Sequence, residues 1–248
     1  MRRKNWPLGP AIVLLAWVVL YWGGLVNPLL LPSPWEVFLR LSRGLFSRDL
    51  LRDLGATVYR AGAGILLASL IGIPLGAFMG ASQRFQRHFG GLVDFFRSIP
   101  ATAMLPLFMV AFGIGDQTRI LLVVFCTSLI MIVNTHAGVR NVSRARLMAA
   151  RAMGATRWQS LSRVAVMDAL PQVFTGFRVS VSLSLIIVVV TEMLIGTSMG
   201  LGHRIYEAQL IYNSVEMFAA IILTGCLGAG LNLILDFVEK RHLHWAGR

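Results

Sequence analysis

Glu192 stands in the apolar run from Ile186 to Ile195. A carboxylate in such a run is costly to place in hydrocarbon, so it faces a bundle interior or a water-filled path. Steps of four lead to it through Gly176, Ser180, Ser184 and Val188, and Thr191 is adjacent. On a helix these residues share one face. That small, polar face either lines a pathway and its gate or bonds one helix to another, and the residues alone leave both open. Other chemistry is sparse. His88, His136, His203, His242 and His244 form no HExxH pattern, and no paired carboxylate accompanies His136. Cys126 and Cys226 lie in apolar runs without a second ligand at metal spacing, and read as small buried hydrophobes. No GxxxxGK[ST] phosphate loop occurs in the 248 residues. The expectation is a chain with no catalytic, cofactor or metal site of its own.

The elements that position Glu192 are membrane spans. Hydrophobic residues make up 56% of the chain and charged residues 14%, too little charge to cover a soluble domain. The expected class is all-α and polytopic. Six stretches approach the length of about 20 residues that crosses a bilayer: 8–26, 58–81, 99–115, 119–139, 176–197 and 217–238. The third carries Pro100 and Pro106, and Gly113 to Thr118 reads as a tight turn into the fourth. The run from Trp6 to Pro34 has no charge and reads as a retained anchor rather than a signal peptide. Ser33-Pro34 opens a short amphipathic helix over 33–47, lying on the membrane face or packed on the protein. In the second span Gly64, Ala68, Gly72, Gly76 and Gly80 recur every four residues, the spacing that lets two helix backbones approach closely in lipid. Pro74 is placed to bend that span.

The net charge of +12 follows the positive-inside rule rather than a nucleic-acid surface. With the N-terminus in the cytoplasm, 16 of the 23 Lys and Arg fall on the cytoplasmic side. They are Arg2, Arg3, Lys4; Arg84, Arg87, Arg97; Arg140, Arg144, Arg146, Arg151, Arg157, Arg163, Arg178; and Lys240, Arg241, Arg248. Arg40, Arg43, Arg48, Arg52, Arg60, Arg119 and Arg204 fall outside. Both termini are therefore expected in the cytoplasm.

The longest cytoplasmic segment, Arg140 to Arg178, is patterned. A helix-former run from Arg144 to Met153 ends at Gly154. Thr156 and Gln159 then have capping-box spacing for a second short helix, and Pro171 is placed to start or bend the next span. A loop that only fixes topology needs the arginines but not this order.

This segment resembles the cytoplasmic signature of permease subunits of binding-protein-dependent ABC importers. That signature runs Glu-Ala-Ala, three residues, Gly, nine residues, an aliphatic residue, one residue, Leu-Pro. Ala149, Ala150, Gly154 and Val164 fit it, while Met148 replaces the acidic residue and Val166-Met167 replaces Leu-Pro. Gly154-Ala155, Ala169-Leu170-Pro171 and Thr175-Gly176-Phe177-Arg178 are similar to the taurine, alkanesulfonate and nitrate branch. So are Leu31-Pro32-Ser33-Pro34, Gly72-Ile73-Pro74-Leu75-Gly76, Leu105-Pro106-Leu107, and Glu192-Met193 with Gly200-Leu201-Gly202.

The resemblance implies a type I ABC importer permease fold in a bacterial inner membrane. It implies a single transmembrane domain over 1–248: an extra span at 8–26, a five-helix core over 58–238 and an ATPase-coupling segment over 144–171. The partners it implies are two copies of an ABC ATPase that hold the ATP-Mg, a second permease copy, and a periplasmic or lipid-anchored substrate-binding protein. The solute is a small anion of the sulfonate, nitrate or bicarbonate kind. Coupling to the ATPase falls to Ala149, Ala150 and Gly154 at the turn and to Thr156, Arg157, Trp158 and Leu161 on the docking face. The pathway or gate falls to Ser180, Ser184, Thr191 and Glu192, with gating favoured for Glu192 because a carboxylate repels an anion. The rival reading is a transporter or channel that works alone.

Overall fold

A computed structural model describes residues 8–44 and 47–242 of the chain, and among these every regular element is helical. Leu45, Phe46, Arg2, Arg3, Lys4, Arg248 and His244 lie outside the described residues, as do the side chains of Arg144, Arg157, Leu161 and His242. The helices are α1 (Leu8–Trp22), α2 (Pro34–Gly44), α3 (Arg48–Ala81), α4 (Gln83–Arg97), α5 (Ala101–Phe112) and α6 (Asp116–Arg140). They continue with α7 (Arg144–Ala152), α8 (Arg157–Gln159), a π-helical turn (Ser160–Ala165), α9 (Val166–Leu194), α10 (Leu201–Leu210) and α11 (Ser214–His242).

The glycine ladder builds the centre. Any side chain on it would collide with α6. A Cβ on Gly72 would lie 2.6 Å from the Met131 Cβ, one on Gly76 2.6 Å from the Ile132 carbonyl oxygen, and one on Gly80 2.7 Å from the Val139 Cβ. Gly64 meets Val123 in the same way, and Ala68 is fully buried. The partners rise from 123 to 139 as the ladder rises from 64 to 80, so α3 and α6 run in the same direction. Helix α9 runs opposite to α6: Gly138 faces Ala169, Gly176 faces Asn134, and the Ser180 hydroxyl donates to the Thr127 carbonyl at 3.4 Å. Asn232 of α11 meets Ser182 of α9, and Arg178 pairs with Asp236 and Glu239, so α11 is antiparallel to α9. The bundle thus has a Gly154 end and a Glu192 end.

Four helices, Arg48–Ala81, Asp116–Arg140, Ser162–Leu194 and Ser214–Arg241, are long and apolar enough to cross a membrane. The chain must also return between the parallel α3 and α6, and here the structure corrects the sequence reading. The return begins in α4 rather than at residue 99. Gln86 bonds Arg140 at the Gly154 end (3.0 Å), and Phe96 stacks edge-on to Phe125 at 5.5 Å, near the middle of α6. The 10 positions of α4 between these contacts rise about 15 Å. Arg84, Arg87, Gln83 and the pair Gly90-Gly91 hide this climb from a hydropathy scan. Helix α5 then turns by 97°, and its Leu105 joins the core of Leu122, Val123, Leu185 and Val188. Arg97 therefore sits beside the middle of α6, not in a connection at the bundle end.

Helix α1 is 15 residues and apolar, about 22 Å long and short of the 30 Å hydrocarbon core. Its Trp17 bonds the Pro32 carbonyl (3.0 Å) and packs on Phe218 of α11. Helix α2 buries Val37 and pairs Arg40 with Glu216 of α11, while Trp35 and Phe38 remain exposed. It is packed on the protein by one face and free on the other.

Candidate functional site

Two sites stand at opposite ends of α9. At the first, α7 ends in a Schellman turn. The Gly154 amide donates to the Arg151 carbonyl at 2.9 Å and the Ala155 amide to the Ala150 carbonyl at 3.1 Å. Gly154 takes φ +85°, a left-handed conformation that only glycine adopts without steric cost. The next helix opens with the reciprocal capping box: the Thr156 amide donates to Gln159 Oε1 at 2.9 Å, and the Gln159 amide to Thr156 Oγ1 at 3.2 Å. From Arg157 the chain is helical through the π turn into α9 without a break. Pro171 lies within α9 rather than at its start. Asp168 of α9 pairs with Arg146 of α7 and accepts from the Ser143 amide at 3.3 Å, so α7 is tied to the base of α9.

Around this turn Ala150 is buried and Ala149 exposed. Trp158 is 69% exposed and Met153 82%, with Met148 and Met167 also open. Large apolar side chains are thus left bare beside arginines at this end of the bundle.

The second site surrounds Glu192, which is 1% exposed and lies two residues from the end of α9. Arg60 Nη1 of α3 donates to its Oε1 at 2.6 Å, the Thr57 hydroxyl lies 3.0 Å from both oxygens, and the Gly202 amide donates to Oε2 at 2.9 Å. The loop from Ile195 to Gly200 is held on every side. Arg119 donates to the Ile195 carbonyl (2.6 Å) and Arg60 to that of Met199 (2.8 Å), while the Gly200 amide donates to Asp53 (2.9 Å). Asp116 bridges Arg60 and Arg119, 2.8 Å from each. A Cβ on Gly200 would lie 2.6 Å from Glu192 Oε1, and one on Gly202 would lie 2.8 Å from Glu192 Cβ, so the Gly-Leu-Gly sequence is what lets the loop close over the carboxylate.

The ion-pair network continues through Arg204, which pairs with Asp53 at 2.6 Å and Glu216 at 2.7 Å, and then to Arg40. Burial works against the Arg204 charge, but the bonds from Glu216 and Asp53 outweigh it and hold its pKa above the usual value. A cavity of about 490 Å³ opens beside it, lined by Arg40, Asp53, His203, Arg204, Glu207 and Glu216 among others.

Ser180, Ser184 and Thr191 are buried on the α9 face that leads to Glu192. The Ser184 and Thr191 hydroxyls return to their own helix, at Val181 and Val188, 2.8 Å each. The sequence reading missed the partners Thr57, Arg60, Asp116 and Arg119. A signal was present: Arg60 and Arg119 each stand at the head of a long apolar run, and an intramembrane carboxylate needs such cations.

Residues 72–243 match the family described as binding-protein-dependent transport system inner membrane component. The chain belongs to this family. Among its relatives the putative aliphatic sulfonates transport permease SsuC of Bacillus subtilis (strain 168) is 29% identical over 247 residues, which is 98% of this chain and 89% of that protein. The taurine transport system permease TauC of Escherichia coli (strain K12) is 30% identical over 259 residues, 99% of this chain and 94% of that one. In architecture the permease is similar to a chain of the MetNI methionine ABC transporter in an inward-facing conformation. The TM-score is 0.68 at 22% identity, covering 80% of this chain and 96% of that one. The permease is thus a multi-pass ABC importer component of the sulfonate, taurine and nitrate branch, with the all-helical importer fold.

Proposed function

We propose that this permease pairs with a second copy to form the path of an ATP-driven importer for a small anionic solute. Sulfonates are the first candidates. An external binding protein delivers the solute, two ATPase subunits that hold the ATP-Mg dock at the Gly154 end, and that end with both termini faces the cytoplasm. The observation that carries this reading is the α7–α8 element. It is a rigid, doubly capped turn with bare Trp158, Met148 and Met153, and it is continuous with a spanning helix. Trp is among the side chains most often found at the energetic centre of interfaces. Arg157 and Leu161, which the sequence reading assigns to the docking face, lie on the same helical segment.

The mechanism follows from connectivity. Two packed arrangements of a bundle exchange by rigid-body movement rather than by continuous deformation. An ATPase that closes on ATP pulls α7 and α8 as one unit, because Asp168 and the Schellman turn tie α7 to α9. Helix α9 carries the displacement to the far end. There Glu192, Arg60 and Arg119 clamp it to α3, α6 and the Ile195–Gly200 loop. Of the two roles open to Glu192, its surroundings support the clamp. Both of its oxygens accept protein donors, and Ser180, Ser184 and Thr191 pack along the same face.

The test is uptake into proteoliposomes that hold the permease, its ATPase and ATP, with the binding protein and labelled ethanesulfonate outside. ATP-dependent accumulation is expected. Accumulation without ATPase would replace this reading with a transporter that works alone.

A further inference from the structure

Helix α4 places a charged face where a membrane protein has little reason to keep one. Phe85, Val93 and Phe96 pack it onto Met79 of α3 and onto Leu129 and Ile132 of α6. It climbs from Arg140 at one end of α6 to Phe125 near its middle. On the side turned away from this packing lie Arg87, Gly90, Asp94 and Arg97, spaced so that they share one face of the helix.

Arg97 is half exposed and Asp94 more so. Arg97 makes one polar contact among the described residues, an i,i+3 bond to Asp94 at 3.2 Å. Arg87 is exposed and has no partner among the described residues. The contrast with Arg60 and Arg119 is direct: those arginines are buried and bonded to carboxylates and carbonyls, whereas Arg97 is presented outward at mid-bundle depth. An open guanidinium there is tolerated where it meets water and is costly against lipid. Rings of Arg or Lys are also what gives a pore its preference for anions.

We infer that the Arg87–Arg97 face of α4 lines the water-filled path, and that Arg97, where α4 breaks into α5, selects for anionic solutes. This rests on the reading of the chain as the permease of an anion importer and adds the residue that meets the solute. Behind Arg97 the chain bends by 97° into α5, whose Leu105 packs into the core of α6 and α9, so Arg97 stands where the outward-facing α4 gives way to an inward-packed helix.

The test uses the full complex in proteoliposomes, with Cys126→Ser and Cys226→Ser as background and one cysteine added. Gly90→Cys suits it, because a Cβ there meets only the Gln86 Cγ at 3.9 Å. Position 90 is two turns from Arg97 on the same face, about 10 Å away. Anionic methanethiosulfonate ethylsulfonate is expected to modify it, while Leu92→Cys on the apolar side stays unmodified. Arg97→Gln is expected to lower the anionic reagent's rate several-fold relative to a cationic analogue, and Arg97→Lys to restore it. A merely structural arginine would not move that ratio. Two results would overturn the inference: no reaction at Gly90→Cys, which places lipid or the second copy over the face, or a ratio indifferent to Arg97→Gln. The assay needs no imported solute, so it decides separately from the ethanesulfonate uptake that tests the importer reading.

Discussion

Glu192 illustrates how a single costly residue is made tolerable. A carboxylate removed from water is destabilising unless its oxygens are all engaged, and here Arg60, Thr57 and the Gly202 amide engage them. Removing one partner strands the other, so Glu192→Ala or Arg60→Ala should each destabilise the protein by about 3–5 kcal/mol. The check is the unfolding midpoint of the purified permease. The double change Arg60→Met with Glu192→Met should recover much of that loss, since it leaves no buried charge of the pair unpaired. If Glu192→Ala leaves the midpoint unchanged, the clamp role is wrong. The carboxylate and its small-residue approach were legible in the sequence. Its partners were not, because Thr57, Arg60 and the Gly202 amide come from distant segments that meet Glu192 only when α3, α9 and α10 are packed.

At the scale of elements, the glycine ladder and the α7–α8 turn were both legible, for the same reason. Each depends on spacing along one helix or across one turn, which is local information. Gly76→Leu should drive α3 away from Ile132 and Thr135 and abolish the folded bundle, read as loss of a monodisperse peak on size exclusion. Gly154→Ala should be milder, since nothing lies within 4 Å of the added Cβ. The left-handed φ alone costs about 1–2 kcal/mol, so the turn should loosen and affinity for the ATPase should fall while the bundle remains intact. Helix α4 escaped the sequence reading because its arginines and paired glycines break the apolar run. Only the tertiary requirement that the chain return between two parallel helices reveals it. The same reasoning accounts for Arg97, which charge counting places with the cytoplasmic residues.

For the whole molecule, the proposed mechanism makes the two sites one device. Helix α9 joins the exposed Gly154 turn at one end to the bonded Ile195–Gly200 loop at the other, and α3 and α6 hold it along its length. Composition alone points to the membrane class, and the resemblance in the 144–171 segment points to the family that the match over residues 72–243 shows. The order of packing, with α3 parallel to α6 and α9 reversed, is a property of the assembled bundle.

The account stands or falls on the ATPase. Tagged permease extracted from native membranes in gentle detergent should bring down an ATP-hydrolysing subunit. Trp158→Ala should lose that subunit while keeping the unfolding midpoint of the parent. A monodisperse, stable permease that carries no ATPase under any mild extraction would contradict it.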